Sequence, residues 1–417
     1  MSRFIVSGGN KLCGSAEVQG SKNSALPLMA AAVLVDGESV LFNCPDLSDV
    51  NASLRILRYL GCDARRESDT AIINSKCVCR GDIPDGLMRE MRSSIVFLGA
   101  ILSRCKRAVM TFPGGCELGP RPIDLHLKAL KMLGANVTER HGVIECTAEN
   151  GLTGAKIALS FPSVGATENI ILAAVKAEGT TTITNAAREP EIVDLCEFLN
   201  KAGACIYGAG EGVIVIDGVK SLSGAEHTII PDRIVAATLI SAAAATGSDM
   251  EIEGIIQSHL SSIIPVFEES GCKIKCDCGF MRIKAPERLK AMPLIRTMPY
   301  PGFPTDAQAP VMASAAVAKG ASVFVENIFE NRYKHVGELI RLGADIKVEN
   351  KVAVVNGVKS LYAADVQAQD LRGAAGLIVA ALAAEGTTEI SGIEYLERGY
   401  ENFEVLLSSL GADVKKI

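Results

Sequence analysis

The sequence predicts a two-domain α/β fold in which buried helices are covered by β-strands. Three observations carry this prediction: the length of the chain, an internal repeat, and helical segments that are apolar on every side. At 417 residues the chain exceeds what a single hydrophobic core ordinarily holds, so two or more domains are expected. Hydrophobic residues make up 48% of the sequence, which is enough for sizeable cores.

The repeat is marked by short segments around a glycine, each of which closes a helix-like stretch and precedes a strand-like one. Successive glycines are separated by roughly 70 residues, so six units fill the chain. Each glycine stands where a helix C-terminal glycine would stand. The six segments are Leu60-Gly61-Cys62, Leu133-Gly134-Ala135, Ala202-Gly203-Ala204, Ser270-Gly271-Cys272, Leu342-Gly343-Ala344 and Leu410-Gly411-Ala412.

Each unit begins with a nearly all-apolar helix, as in 23–32 and 373–382, followed by a β-rich run such as 180–184 and a second, amphipathic helix. Helices that are apolar all round are buried, and these are too short to span a membrane. The strands therefore cover the helices, which inverts the usual α/β barrel. Three units would form one domain, with the break near 221–231 and a cleft between the two domains.

Polar residues open each predicted buried helix. Helix capping is an alternative to a functional role for four of these residues: Ser21, Ser163, Asp232 and Asp370. Capping does not explain the cations, because positive charge is unfavourable at a helix N-terminus. Lysine or arginine there suggests a bound anion, so we expect a cleft for a multiply anionic substrate. The openings are Ser21-Lys22-Asn23, Met91-Arg92-Ser93-Ser94, 162–167, Pro231-Asp232-Arg233, Pro304-Thr305-Asp306 and 369–372, which includes Arg372.

The loop 112–122 is rich in glycine and proline and carries Cys116 and Arg121. Its composition excludes a helix or a central strand. A thiol on a glycine-flanked loop beside a guanidinium group is typical of a reactive cysteine, because positive charge favours the thiolate. A surface hairpin with an incidental cysteine is the alternative.

Two further segments have both a functional and a structural interpretation. The carboxylates of 185–191 could line the cleft or only cap the helix that follows. Arg398 in the turn 397–400 could bind an anion or be a solvated loop residue.

Composition argues against several classes of protein. The net charge of −6 disfavours nucleic acid as a partner, and no basic run suggests a membrane surface. The N-terminal residues lack the apolar run of a signal peptide, so the 13 cysteines are interpreted as reduced thiols in the cytoplasm. The pairs Cys77/Cys79 and Cys276/Cys278 have the wrong spacing for zinc and no nearby histidine, so no metal is expected.

The chain resembles the enolpyruvyl transferases that act on UDP-N-acetylglucosamine, over its whole length. The resemblance implies the two-domain inverse α/β barrel, with an N-terminal strand, up to about residue 20, joining the second domain. The implied domains are 21–230, and 1–20 with 231–417. The matching motifs are 20–26, 91–94, 113–116, 121–126, 162–167, 185–191, 231–233, 305–306, 370–372 and 398–400.

The resemblance also implies the reaction. The enolpyruvyl group of phosphoenolpyruvate moves to the 3′-hydroxyl of UDP-N-acetylglucosamine through a tetrahedral ketal, and phosphate is released. This is the first committed step of peptidoglycan synthesis. The resemblance implies no metal and no organic cofactor, and neither it nor the sequence suggests a nucleic acid, a membrane or an obligate protein partner.

Residue roles follow from the same resemblance. Cys116 would act as general acid and as the target of fosfomycin, and Asp306 as general base, although a carboxyl group of ordinary pKa is a weak base unless burial raises that pKa. Lys22 and Arg398 complete the catalytic set. The implied phosphoenolpyruvate contacts are Lys22, Asn23, Arg92, Arg121, Arg372 and Arg398. The implied UDP-N-acetylglucosamine contacts are Asn23, Arg92, Arg121, Pro122, Ile123, Asp124, Leu125, Ser163, Val164, Gly165, Asp306 and Ile328.

The chain departs from the family pattern at two places. Phe161 stands where some members have a lysine that contacts the nucleotide, and 394–397 differs where many members have a histidine. Two alternatives remain: the sibling transfer to shikimate 3-phosphate, and a non-catalytic paralogue that binds nucleotide sugar. The cysteine loop and Lys22-Asn23 argue against the first, and retention of Cys116, Asp306, Lys22 and Arg398 argues against the second.

Overall fold

A computed structural model describes residues 2–112 and 123–417, without the side chain of Arg92. These residues divide into two compact units. We call residues 20–112 and 123–230 the N-unit, and residues 2–19 and 231–417 the C-unit. Each unit has its own hydrophobic core.

The α-helices are named in chain order. They are α1 Lys22–Ala32, α2 Ser48–Leu60, α3 Asp85–Glu90, α4 Phe97–Cys105, α5 Asp124–Met132, α6 Val164–Ala174, α7 Pro190–Lys201, α8 Arg233–Thr246, α9 Ile264–Glu269, α10 Gln308–Ala315, α11 Val336–Arg341, α12 Leu371–Ala383 and α13 Phe403–Ser409. Short 3₁₀ helices span Arg92–Val96, Gln257–Leu260, Thr305–Ala307 and Ile393–Arg398.

The β-strands are named in the same way. They are β1 Arg3–Ser7, β2 Ser15–Glu17, β3 Glu38–Phe42, β4 Asp63–Glu67, β5 Thr70–Asn74, β6 Asp82–Ile83, β7 Arg107–Thr111, β8 Asn136–Arg140, β9 Val143–Thr147, β10 Lys156–Ala158, β11 Thr180–Thr184, β12 Cys205–Tyr207, β13 Val213–Asp217, β14 Glu226–Thr228, β15 Asp249–Glu253, β16 Lys273–Asp277, β17 Phe280–Lys284, β18 Ile295–Arg296, β19 Ala321–Val325, β20 Asp345–Glu349, β21 Val352–Asn356, β22 Leu361–Tyr362, β23 Asp365–Gln367, β24 Ala384–Glu385, β25 Thr387–Ser391 and β26 Asp413–Lys416.

Three buried helices form the centre of each unit: α1, α4 and α6 in the N-unit, and α8, α10 and α12 in the C-unit. Most residues of these helices are buried, because small and aliphatic side chains surround the helix axis. Close approach requires glycine at one crossing: a Cβ on Gly376 of α12 would lie 2.9 Å from the carbonyl oxygen of Ala309 in α10. The predicted burial of the apolar helices is confirmed.

Sheets cover these helices, and the four-stranded ones share a single pairing pattern. In each, an edge strand pairs in parallel with its neighbour, which begins an antiparallel run of three strands. The strand orders are β23-β25-β1-β26, β10-β11-β13-β12, β14-β3-β5-β4, β2-β15-β17-β16, β18-β19-β21-β20 and β6-β7-β9-β8. Alternate residues point inward, so each sheet contributes one apolar face.

The glycines that define the repeat end the second helix of each segment in left-handed conformation. Gly61, Gly134, Gly203, Gly271, Gly343 and Gly411 have φ angles of 102°, 94°, 104°, 104°, 94° and 91°. Only glycine adopts such angles without strain. A strand begins two residues after each of the six glycines. This confirms the predicted helix–glycine–strand order.

None of the helices within residues 2–112 and 123–417 is long and apolar enough to cross a membrane.

Candidate functional site

The polar segments predicted to open the buried helices lie at the helix starts. Ser163, Asp232 and Asp370 cap α6, α8 and α12 by accepting hydrogen bonds from backbone N–H groups of the first turn. Ser21 occupies the N-cap position of α1, but its side chain makes no capping hydrogen bond. The openings at 91–94 and 304–306 lead into 3₁₀ turns that precede α4 and α10, a detail that helical periodicity alone does not predict.

Lys22 is the first residue of α1, and its side chain is only 10% exposed. Its Nζ lies 3.2 Å from Oδ2 of Asp49, a buried residue in the first turn of α2. Asp49 thereby balances a cation that the helix dipole disfavours, and removing one member of such a buried pair typically costs about 3–5 kcal/mol. The arrangement holds a positive charge at the helix start, where an anionic substrate would bind.

Two segments with predicted nucleotide-sugar contacts meet at His126. The first is Ile123-Asp124-Leu125, at the start of α5, and the second is the half-buried Ser163-Val164-Gly165. A Cβ on Gly165 would lie 3.2 Å from Cε1 of His126, so the ring packs directly on this backbone. The structure therefore brings these two segments together within the N-unit.

Asn169 fixes the orientation of that ring. Its Nδ2 donates to Nδ1 of His126 at 3.0 Å and to the carbonyl of Gly165 at 3.3 Å, while its Oδ1 accepts from the N–H of Gly99 at 2.7 Å. Burial lowers the pKa of His126 to about 4. The ring is therefore neutral at pH 7, with Nδ1 as acceptor and the proton on Nε2.

Three buried acidic residues lie near the start of α7: Glu168, Glu189 and Glu191. Burial, and then the negative charges of Glu191 and Glu189, raise the pKa of Glu168 well above its ordinary value. Helix capping was the alternative interpretation of the carboxylates in 185–191. Glu189 occupies the N-cap position of α7, but its side chain makes no capping hydrogen bond. An acid inside the apolar α6 helix was the signal that sequence inspection missed.

In the C-unit, Asp306 lies between two arginines. Its Oδ1 accepts from Nη2 of Arg332 at 2.8 Å, and its Oδ2 accepts from Nη2 of Arg372 at 3.1 Å. Both arginine side chains are 2% exposed, against 29% for Asp306. The two guanidinium groups stabilise the charged carboxylate, so an ionised acceptor of protons faces partly toward solvent.

Arg372 keeps its charge despite burial. Burial favours the neutral guanidine, but Asp306 and other acidic groups outweigh this effect and raise the pKa of Arg372. The ring of Tyr400 lies 5.5 Å from its central carbon. Arg372 was predicted to bind an anionic substrate. In the structure it is paired with the carboxylate of Asp306, which was not predicted.

Several buried polar atoms around Arg372 have no hydrogen-bond partner among the described residues. They are Nε and Nη1 of Arg372, Oδ2 of Asp370 and both ring nitrogens of His335. Burial lowers the pKa of His335 to about 4, against the effect of Asp370. Buried polar atoms of this kind normally bind water or a ligand, so this cluster suits a small polar ligand.

The remaining C-unit candidates have clear positions. Arg398 ends the 3₁₀ helix Ile393–Arg398 and is half-buried. Its neighbour Glu397, in the segment that departs from the family pattern, pairs with Lys416 of β26. Ile328 is half-buried in the loop after β19, where its N–H donates to Oε1 of Glu326 at 2.8 Å.

Other candidates lie outside what can be described. Cys116, Arg121 and Pro122 fall within 113–122, and the side chain of Arg92 is likewise not described. Asn23 is half-buried in the first turn of α1, next to Lys22. Phe161, which replaces the lysine of some family members, is 43% exposed. Within residues 2–112 and 123–417, no group of three or more His, Cys, Asp or Glu is arranged to hold a metal ion.

Arg332 and Glu326 are functional candidates that sequence inspection missed. Arg332 is the last residue of the polar segment after β19, and Glu326 directly follows the apolar run of that strand. An acidic residue immediately after a buried strand was the available signal.

Comparisons with known proteins agree on one family. The chain matches the EPSP synthase (3-phosphoshikimate 1-carboxyvinyltransferase) family over residues 6–407. It is 48% identical over 417 residues to UDP-N-acetylglucosamine 1-carboxyvinyltransferase 2 of Caldanaerobacter subterraneus subsp. tengcongensis, covering 100% of both chains. It is 46% identical over 417 residues to UDP-N-acetylglucosamine 1-carboxyvinyltransferase of Trichlorobacter lovleyi, covering 100% of this chain and 99% of that one.

Solved structures give the same fold. The enolpyruvyl transferase NikO from Streptomyces tendae matches with a TM-score of 0.90 at 26% identity, over 100% of this chain and 98% of that one. EPSP synthase from Acinetobacter baumannii matches with a TM-score of 0.76 at 20% identity, over 100% of both chains. The predicted inverse α/β architecture of the enolpyruvyl transferases is confirmed.

Proposed function

The chain belongs to the UDP-N-acetylglucosamine 1-carboxyvinyltransferase branch of the EPSP synthase family, and from that premise we propose its reaction and the roles of its residues. It transfers the enolpyruvyl group of phosphoenolpyruvate to the 3′-hydroxyl of UDP-N-acetylglucosamine and releases phosphate. The observation that carries this proposal is the 48% identity over the whole length of both chains. The product would enter peptidoglycan synthesis.

The reaction proceeds by addition and elimination. The thiol of Cys116 gives a proton to C3 of phosphoenolpyruvate, while the 3′-oxygen of the sugar attacks C2 and loses its proton to Asp306. The resulting tetrahedral ketal then loses a proton from C3 and expels phosphate, which restores the double bond. The support for Asp306 is its position: Arg332 and Arg372 orient a carboxylate that is still 29% exposed and can accept a proton. The same positive charges weaken it as a base, which is the opposite of the burial effect expected from the sequence.

Cations neutralise the charges of phosphoenolpyruvate in this scheme. Lys22, Arg121 and Arg398 bind its phosphate and carboxylate groups, and Arg92 and Arg372 support them. The support for Lys22 is its fixed position at the start of α1 beside Asp49. The support for Arg372 is the cluster of buried polar atoms around it.

The nucleotide sugar is assigned to the N-unit segments around His126, with Asn23, and to Asp306 and Ile328 in the C-unit. The proposal places the enzyme in the cytoplasm, because the twelve cysteines of the described residues are free thiols, as in proteins of reducing compartments.

The test is release of phosphate from phosphoenolpyruvate, measured with UDP-N-acetylglucosamine and separately with shikimate 3-phosphate. We expect release with the nucleotide sugar alone, and a loss of about 10²-fold or more in kcat for Asp306→Asn, since general bases typically contribute that much. Asp277→Asn, at an exposed position of β16, is the matched control. Release with shikimate 3-phosphate instead, or binding of the nucleotide sugar without turnover, would overturn the proposal.

A further inference from the structure

Glu326 is a buried carboxylate with every oxygen occupied. It follows β19 and is 1% exposed. Its Oε1 accepts from Oγ1 of Thr297 at 2.9 Å and from the N–H groups of Ile328 at 2.8 Å and Phe329 at 3.1 Å. Its Oε2 accepts from Oγ1 of Thr305 at 3.0 Å. Four donors on one buried carboxylate make a strong and directional anchor.

These donors come from three separate parts of the chain. Thr297 directly follows β18, the strand that pairs in parallel with β19. Thr305 begins the 3₁₀ turn that carries Asp306. Ile328 and Phe329 belong to the loop after β19, which is assigned to the nucleotide sugar. Glu326 accepts hydrogen bonds from all three parts.

Arg332 closes the same network from the other side. Its Nη2 donates to the carbonyl of Thr305 at 3.1 Å and to Oδ1 of Asp306 at 2.8 Å, and its central carbon lies 5.7 Å from the ring of Phe329. The turn of Asp306 and the loop of Phe329 are therefore each tied to both Glu326 and Arg332. Movement of either would break hydrogen bonds that a charged group strengthens.

The chemistry of the site requires an acceptor at position 326. A carboxylate only accepts hydrogen bonds, whereas glutamine presents two N–H donors on one side. A glutamine must turn its amide nitrogen either toward the N–H groups of Ile328 and Phe329, which cannot accept, or toward Thr305, whose hydroxyl must then accept instead of donating. The nearby negative charge also contributes, after burial, to raising the pKa of Tyr333, which keeps that phenol protonated.

We propose that Glu326 is a positioning residue that orients Asp306 and the loop 327–329 toward the acceptor sugar. The inference rests on the proposed function, because it concerns the residue assigned as general base. Glu326 acts through Thr305 on the base and through the N–H groups of Ile328 and Phe329 on the sugar-binding loop. Its contribution falls on the acceptor side of the reaction and not on phosphoenolpyruvate, whose main cations it does not contact in the described hydrogen bonds.

The decisive experiment is steady-state kinetics of Glu326→Gln, after wild-type turnover with UDP-N-acetylglucosamine has been measured. We expect kcat to fall at least tenfold and the KM for UDP-N-acetylglucosamine to rise at least fivefold, with the KM for phosphoenolpyruvate changed less than twofold. Glu349→Gln, at an exposed end of β20 in the same sheet, is the matched control and keeps wild-type values. Lack of wild-type turnover would overturn the proposed function, which separates the two failures.

Threonine variants separate the contact of Glu326 with the turn of Asp306, through Thr305, from its contact with the loop 327–329, which Thr297 shares. Thr305→Val removes the donor next to Asp306 and is expected to lower kcat. Thr305→Ser keeps the hydroxyl and is expected to have the kcat of the wild type. Thr297→Val disturbs the loop 327–329, because Thr297 Oγ1 also accepts from the N–H of Asn327 at 2.9 Å. This variant is expected to raise the KM for UDP-N-acetylglucosamine instead. If Glu326→Gln does not fold, this pair of threonine results decides the matter.

Two results would overturn the inference. One is a lowered melting temperature of Glu326→Gln with unchanged kinetic constants, since that describes a purely structural anchor. The other is an equal loss with Thr305→Val and Thr305→Ser, because the hydroxyl would then have no role.

Discussion

At the scale of single residues, burial makes three of the cysteines inert. Burial raises the pKa of Cys146, Cys196 and Cys272 to about 12, so these thiols stay protonated near neutral pH and react poorly. The reactive thiol proposed for catalysis is Cys116, on the glycine-rich loop beside Arg121. Burial thus removes three thiols as targets, and exposed thiols such as Cys278 serve as controls for an epoxide directed to Cys116.

We predict that fosfomycin labels the wild-type protein once and that Cys116→Ser abolishes the label, because serine is not ionised at neutral pH. Mass spectrometry of peptides from protein labelled in the presence of UDP-N-acetylglucosamine measures the site. Cys278→Ser, which removes an exposed thiol, is the control and should keep the label. A label that persists on another cysteine in Cys116→Ser would contradict the role of this loop.

At the scale of helices and strands, the repeat glycines set where each second helix stops. Gly203 has a φ of 104° and open space around its Cα, whereas Gly337 lies inside α11 with open space and without a left-handed φ. A methyl group meets no neighbour at either position. The two sites therefore isolate backbone conformation from packing.

We predict opposite effects of alanine at these two glycines. Gly203→Ala should lower the free energy of unfolding by about 1–2 kcal/mol, because a Cβ strains the left-handed conformation. Gly337→Ala should raise it by about 0.5 kcal/mol, since alanine loses less entropy in a helix than glycine. Denaturant unfolding of both variants beside the wild type measures the difference. Equal effects of the two substitutions would contradict the assigned helix ends.

The sequence was sufficient to predict the elements that follow from local chemistry. An almost unbroken apolar composition predicted α1 and α12 as buried helices, and the glycine segments predicted their amphipathic partners and the strands that follow. The pairing of Asp306 with Arg332 and Arg372 could not be predicted, because it joins residues 26 and 66 positions apart through tertiary packing. The anchor at Glu326 was missed for the same reason, since its partners come from three segments.

At the scale of the whole molecule, each unit contains a buried histidine that is neutral when folded. Burial lowers the pKa of His126 in the N-unit and of His335 in the C-unit to about 4, against about 6.5 in an unfolded chain. The unfolded state therefore binds more protons between these values. Stability should be complete above about pH 6.5 and decline as the pH falls toward 4.

We predict that the free energy of unfolding falls by about 2 kcal/mol per buried histidine between pH 7 and pH 5, by proton linkage. His126→Asn should show a shallower decline than the wild type, measured by denaturant unfolding at each pH. The control is His141→Asn, an exposed histidine with a φ of 50°, where asparagine tolerates the same backbone. An unchanged pH dependence in His126→Asn would contradict the neutral buried ring.

The pairing of β1 has a consequence for biosynthesis. This strand lies between β25 and β26, so Phe4 pairs with Ile390 and Lys416. At ribosomal speeds of about 5–20 residues per second, its partners emerge on the order of 20 to 80 s after it does. During that interval the backbone N–H and C=O groups on both edges of β1 lack their partner strands, and such unpaired edges favour association between nascent chains. The sheet around β1 therefore cannot be completed until β26 has been synthesised.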